Sequence, residues 1–326
     1  MNGFIEAVMT KMENPFEFLL DQLELPATLI IVDSLLYWAV CVGNRRNIPV
    51  ASFWPMSAMM FSIFQYFELL VQNGHHPTHT IYLLFTSIYE LEPCAIDALR
   101  AKFLLPIYNV GPAIPWFKLG DNSSITPTHN EINYIDWLNS NLTVQFFIFL
   151  SVSSTQMDEI LAGLQNSNVN FVWVARGEAS RLKEICGDKG LVLPWCDQLR
   201  VLCHSSVGGF WTHCGWNSTL EAVFAGVPML TFPLFLDQDP NSNQIVEDWK
   251  IGWEAKREIG TQKILTREEI AEVIKRFMDL NSDEGIEVRR KVRQLRDICQ
   301  GATTESGSSV INLTAFIQDI SQGHNH

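Results

Sequence analysis

The feature that most constrains this chain is an alternation: a short continuous apolar run, then turn residues, then a stretch with helical spacing. Ala27–Val32 ends at Asp33 and is followed by an apolar helical pattern to about Gly43. Ile48–Phe53 is followed by a Met/Phe-rich helical pattern from Ser57 to Gln72. Ile81–Phe85 and Ile107–Val110 are further runs, with a helix around Cys94–Lys102 between them. Apolar strands without a polar face, separated by helices, predict an α/β fold whose parallel sheets are covered on both sides. At roughly 150 residues per domain, a chain of 326 residues predicts two such domains.

Gly111 to Asn130 holds Pro112, Pro115, Pro127, Gly120, Ser123 and Ser124, a cluster that predicts an interdomain connection. A second series follows, with strands at Phe146–Leu150, Phe171–Val174, Val207–Trp211 and Met229–Phe232 and a helix at Gln156–Gln165. The last sixty or so residues read as helical, opening on the capping box Thr266-Arg267-Glu268-Glu269. The expected division is 1–120, 121–305, and a C-terminal helix and tail over 306–326.

Lys and Arg total 23 against 36 Asp and Glu, a net charge of −13. Such a chain has no long-range attraction for phosphate backbones, so nucleic acid is not an expected partner. The apolar run Leu25–Val42 carries Asp33 near its middle, a costly group inside a bilayer, so a strand and helix are expected rather than a membrane span. Seven cysteines, none spaced C-x-x-C, predict a reducing compartment. With no basic and apolar leader at Met1–Glu6, a cytoplasmic location is expected; a monomer is expected as well. Cys196, Cys203, His204, His213 and Cys214 lack zinc-ligand spacing, so no metal is expected. The run His75-His76-Pro77-Thr78-His79 reads as a solvated loop, and the apolar face around Met59, Met60, Phe61 and Phe64 as core.

The stretch Trp195–Gln238 carries the chemistry. Phe210-Trp211-Thr212 finishes a strand, and Ser218 opens a helix that stops at Gly226, with Pro228 beyond. The free N–H groups and positive dipole end of that helix favour an anion. Gly215 admits close approach to the backbone, and His213 adds a donor, a combination that suits a diphosphate. The Glu221 carboxylate can accept from two ribose hydroxyls. Asp237 and Gln238 follow the strand Met229–Phe232 at the edge where open α/β sheets bind ligands, and a carboxylate beside an amide matches vicinal sugar hydroxyls. The Trp195 indole can stack on a pyrimidine.

These residues, Trp195, Gln198, His213-Cys214-Gly215-Trp216-Asn217-Ser218, Glu221, Gly226-Val227-Pro228, Pro233 and Asp237-Gln238, resemble the signature box of the plant secondary-product UDP-glycosyltransferases. Leu84–Glu92, Val110-Gly111-Pro112 and Phe171–Val174 are similar to further landmarks of that family. The resemblance implies a GT-B pair of Rossmann-like domains, the C-terminal one holding a UDP-sugar and the N-terminal one a small hydroxylated lipophilic acceptor. UDP-sugar is then donor substrate, with no separate cofactor. It implies that Trp195 stacks on uracil, that Cys196, Asp197 and Gln198 contact the uracil edge and ribose, and that His213, Gly215, Asn217 and Ser218 surround the diphosphate. Glu221 would hold the ribose, and Trp216, Asp237 and Gln238 would face the sugar. Gln at the closing position is associated with glucose.

Competing structural roles exist at each position. Ser218-Thr219-Leu220-Glu221 is also a capping box, Trp195 could be core, Asp237 a surface acid, and Asp33 a helix N-cap. In the family an N-terminal-domain His takes the acceptor's proton, an orienting Asp stabilises it, and attack proceeds with inversion. Asp33 matches the orienting Asp. No His precedes it, and the first in the chain is His75. The acceptor domain is therefore expected to lack its opening strand and helix. The family's Gly-Ser turn near the diphosphate is also replaced, with Ser151 or Ser153 as substitutes. Three readings stand: a UDP-hexose transferase, an impaired homologue that only binds UDP-sugar, and a nucleotide-sugar epimerase, against which the Trp195–Gln238 pattern argues.

Overall fold

A computed structural model describes residues 2–66, 81–119, 134–140, 145–150, 152–255 and 264–322. The His75–His79 run, residues 67–72 of the Met/Phe-rich pattern, residues 120–130 of the expected connection, and Ser151 lie outside the described residues. The chain divides into two compact units, residues 1–113 with 301–326 and residues 114–300. The first boundary thus falls at 113/114 rather than 120/121. The C-terminal stretch 306–326 is not a separate appendage; it belongs to the first unit.

In the first unit, β1 (Ile30–Asp33), β2 (Val50–Trp54), β3 (Tyr82–Phe85) and β4 (Ile107–Asn109) form a parallel sheet in the order β1-β2-β3-β4. Right-handed crossovers that all step in one direction put their helices on one face. Alternation along the strands then divides the side chains. Ile30, Val32, Val50, Trp54, Leu83, Phe85 and Ile107 pack with residues of the helices Tyr37–Arg46, Ala58–Tyr66 and Pro93–Lys102. Ala51, Leu84 and Tyr108 face the other way and are covered by Phe316 of the helix Ser308–Ser321. The Tyr108 hydroxyl donates to the Asp319 carboxylate on that helix. Two helices that the sequence pattern does not predict, Asn2–Thr10 and Glu13–Asp21, precede β1. They dock through Phe16 edge-on to Trp38 and through Arg45 and Arg46, which pair with Glu13, Glu17 and Asp21. Glu92 is buried because it has work inside: its carboxylate accepts from the N–H groups of Ala58 and Met59 at the start of a helix, and from the Ser87 hydroxyl.

In the second unit, β5 (Gln145–Phe149), β6 (Asn170–Val174), β7 (Gly190–Leu193), β8 (Val207–Thr212), β9 (Met229–Thr231) and β10 (Gly252–Glu254) form an all-parallel sheet. Its order is β7-β6-β5-β8-β9-β10. The chain starts in the middle, winds out through β6 and β7, returns beside β5 as β8, and winds out the other way. That is the doubly wound Rossmann order. Phe146, Ile148, Phe171, Trp173, Trp211 and Leu230 fill one side of the sheet against Met157, Ile160 and Leu164 of the helix Ser154–Ser167 and Ile270, Ile274 and Phe277 of the helix Arg267–Phe277. The capping box expected at Thr266 and Glu269 is present in both directions. Among the described residues, no helix is long and apolar enough to cross a membrane. No group of three or more metal-ligating side chains occurs among them.

Candidate active site

Winding reverses between β5 and β8, so the crevice for a ligand lies outside the carboxyl ends of those two strands. The signature stretch runs through this crevice. After β8, His213 is half-buried and Cys214 takes a left-handed conformation, with φ 66°. Its N–H donates to the Thr212 hydroxyl at 3.1 Å, and its carbonyl accepts from the Asn241 amide at 2.9 Å. The following helix is Trp216–Ala225, with Gly215 as N-cap and Gly226 left-handed at its end. A Cβ on Gly215 would lie 2.6 Å from His213 Nε2. The space left by this glycine's missing side chain is therefore where the His213 imidazole sits. His213 also faces the Phe149 ring at 5.9 Å. Burial lowers its pKa, opposed by a hydrogen bond to the Phe149 backbone and by Asp237, and reinforced by Arg176. At neutral pH it is an uncharged, directional imidazole beside a helix start.

The two ends of the stretch meet through one amide. Gln198 Nε2 donates to the Ser218 hydroxyl at 3.0 Å and to Glu221 Oε2 at 2.5 Å. Because the helix begins at Trp216, Ser218 lies in its first turn and Glu221 in its second. Neither forms the capping box that their spacing allows, and Glu221 turns toward Gln198. Burial pushes the Glu221 carboxyl up to about 7, with the Gln198 bond opposing that rise and Asp197 adding to it. Gln198 is held by the short helix Gln198–Leu202, whose N-cap is Asp197: its carboxylate accepts from the Arg200 N–H at 3.2 Å. The Asp197 side chain is thus occupied, and its own N–H donates to the Tyr134 hydroxyl at 3.3 Å. Cys196 is buried, and that burial raises its thiol pKa well above the usual range.

The remaining expected residues separate into exposed and internal groups. Trp195 is 65% exposed beyond β7, which removes the core reading of its ring. Asn217 is exposed on the first turn of the helix. Trp216, expected to face a sugar, is instead 3% exposed and packs against Trp249 at 6.2 Å; the first helical position points its side chain inward. Asp237 is partly buried, its pKa raised by that burial, and its carboxylate accepts from Asn241 at 2.9 Å. Gln238 is 5% exposed, and its side-chain carbonyl accepts from the N–H groups of Leu234 and Phe235. Only its amide nitrogen remains for a ligand. In the other unit, Asp33 closes its own turn by accepting from the Leu35 N–H at 2.9 Å, and the following helix takes Leu36 as N-cap. Ser153, a candidate for the replaced Gly-Ser turn, caps the helix Ser154–Ser167 by accepting from the Gln156 N–H.

Sequence reasoning missed two residues here. Asn241 bonds both the Cys214 carbonyl and Asp237, tying the histidine turn to the acidic loop; its signal was the four-residue spacing from Asp237 across a helix start. Arg176, just past β6, stands over the Phe149 ring at 5.2 Å; its signal was a cation at the carboxyl end of a predicted strand.

A Rossmann unit with an anion-suited helix start and a buried carboxyl at its switch point, and an exposed indole beyond its edge strand β7, has the form of a nucleotide-binding α/β enzyme. Residues 141–281 match the family model for UDP-glucoronosyl and UDP-glucosyl transferase. The chain is 44% identical over 373 aligned positions to UDP-glycosyltransferase 87A1 of Arabidopsis thaliana, covering 98% of this chain and 84% of that one. It is 45% identical over 370 positions to UDP-glycosyltransferase 87A2 of the same plant, covering 98% and 80%. The crystal structure of Medicago truncatula UGT71G1 complexed with UDP-glucose superposes with a TM-score of 0.78 at 23% identity, over 97% of this chain and 79% of that one. The chain belongs to the plant UDP-glycosyltransferase family, and its fold is the GT-B type built from two Rossmann-like domains.

Proposed function

We propose that the second unit holds a UDP-hexose, with glucose as the sugar, and that the enzyme transfers it with inversion to a hydroxyl of a small lipophilic acceptor of plant secondary metabolism. The observation that carries this reading is the convergence, at one switch point, of the Gln198–Ser218–Glu221 cluster with His213 and the start of the helix Trp216–Ala225. Each part suits one part of the donor. Trp195 is open for stacking on uracil, with the Cys196 backbone and Gln198 at the base and ribose. Glu221, freed from a capping role, accepts from ribose hydroxyls. His213, the backbone at Gly215, Asn217 and Ser218 take the diphosphate, where neutral imidazole and helix-start N–H groups are directional donors. Asp237 and the Gln238 amide nitrogen take sugar hydroxyls. The UDP-glucose bound to the Medicago protein supports this choice of donor. No separate cofactor enters the scheme, and the protein acts as a cytoplasmic monomer.

One observation favours a second reading, donor binding without efficient transfer. Asp33, placed by resemblance as the orienting acid of the general base, spends a carboxylate oxygen on its own turn. Calorimetry with UDP, paired with a transfer assay over a panel of hydroxylated aromatics and UDP-glucose, tests both. Submillimolar UDP binding with turnover supports the first reading, and binding without turnover the second. An absence of UDP binding refutes the donor site itself.

A further inference from the structure

A donor site for a diphosphate needs positive charge, and the groups that define this one supply little. Glu221, Asp197 and Asp237 are acidic, and burial raises the pKa of Glu221 and Asp237, the mark of an environment that disfavours further negative charge. Neutral His213 and helix-start N–H groups bring partial charges only. Arg200, the one Lys or Arg within Trp195–Gln238, follows the Asp197 cap beside Tyr134.

Arg176 is placed differently. It follows β6, in a turn closed by the Glu178 N–H donating to the Ala175 carbonyl at 3.2 Å, with Gly177 left-handed at φ 79°. A turn of this form demands glycine at its third position and fixes the second, so the arginine is presented from a set point at the carboxyl edge. Its guanidinium carbon lies 5.2 Å from the Phe149 ring, whose own centre lies 5.9 Å from the His213 ring. Phe149 ends β5, so the row Arg176–Phe149–His213 crosses the edge at the switch point. The charge of Arg176 is felt at His213 on one side and at Cys196 on the other. It makes no ion pair among the described residues, and the side chain is exposed. An arginine resting on an aromatic face can leave it for a phosphate at small cost, because a cation–π contact at an exposed site is weak and a phosphate offers bidentate, charge-assisted hydrogen bonds in its place.

We propose that Arg176 is a further donor-site residue: its guanidinium supplies the counter-charge for the diphosphate of the bound UDP-sugar, on the side of the switch point opposite the start of the helix Trp216–Ala225. This rests on the donor-site reading above and deepens it. The expected signature is selectivity for phosphate charge. Arg176→Gln should weaken UDP binding about tenfold or more, as for loss of a charge-assisted hydrogen bond, weaken UMP less, and leave uridine within twofold. Arg176→Lys should recover part of the UDP affinity. The dependence of UDP affinity on salt should be shallower in Arg176→Gln than in the native protein. Calorimetry with UDP, UMP and uridine at two ionic strengths reads all of this, and thermal unfolding confirms that the variants are folded. Unchanged UDP affinity in Arg176→Gln, or an equal loss for uridine and UDP, overturns the assignment. Failure of the native protein to bind UDP would instead overturn the donor site on which it rests.

Discussion

Glu221 should make the second unit less stable as pH rises, and replacing it should reverse that. The folded carboxyl titrates at about 7 against an ordinary 4.5. At about 1.4 kcal/mol per pKa unit, ionising it costs the folded protein about 3 kcal/mol. Since the folded value lies above the unfolded one, the stabilising proton is fully present below pH 4.5 and is lost as pH rises through 7. Glu221→Gln keeps the neutral shape at every pH. The variant should therefore match the native protein near pH 4, then gain at about 1.4 kcal/mol per pH unit. It should be more stable by about 3 kcal/mol at pH 8.5. Urea unfolding followed by tryptophan fluorescence at pH 4, 5.5, 7 and 8.5 measures the difference. The same variant should bind UDP more weakly at pH 8, because an amide accepts less well than a carboxylate from two ribose hydroxyls. A stability difference that does not change with pH would refute the reasoning, as would a variant less stable throughout.

Trp195→Ala should leave unfolding within about 0.5 kcal/mol, because the ring is exposed, while weakening UDP by about 1–3 kcal/mol; calorimetry and thermal melts separate the two, and an unchanged UDP affinity would remove the stacking role. Gly215→Ala should force the His213 ring away from a contact of 2.6 Å and lower UDP affinity about tenfold, a loss of about 1.4 kcal/mol; unaltered binding would show that His213 does not touch the ligand. Asn241→Ala should cost about 1–3 kcal/mol in urea unfolding and speed hydrogen exchange at the Cys214–Trp216 amides, and no change in exchange would mean that the turn is held by other contacts.

Much of the candidate site was legible because its residues lie in one stretch of chain, whose two ends the structure joins through Gln198, Ser218 and Glu221. What was not legible depends on where a helix begins. Starting at Trp216 instead of Ser218 turns Trp216 into the core, breaks the Ser218–Glu221 capping box, and aims Glu221 at Gln198, twenty-three residues away in sequence. Gly215 likewise announces a close approach without saying by what, and the answer is an imidazole two positions earlier. Arg176 and Asn241 fall outside or late in the stretch, and only the strand order brings them to it. Most of the sheet was readable from its β-branched and aromatic runs. β7 and β10, the two edge strands, both open on glycine, a residue depleted in strands, which hides them in the sequence. The helices before β1 were hidden for a related reason: their docking relies on arginine–carboxylate pairs as much as on an apolar repeat.

The first unit joins residues 1–113 with 301–326, and among the described residues the sheet face carrying Ala51, Leu84 and Tyr108 is covered by the helix Ser308–Ser321. Tyr108 and Asp319 meet across 211 positions. Such a contact closes a long loop late, after shorter-range structure has formed. During synthesis the second unit has all its strands before Phe316 exists, while Ala51, Leu84 and Tyr108 wait with an uncovered apolar face. The growing chain is thus most prone to stick to its neighbours until residues 308–321 have been made, and a stop codon ahead of residue 308 would make that hazard permanent even though the whole candidate donor site had been translated.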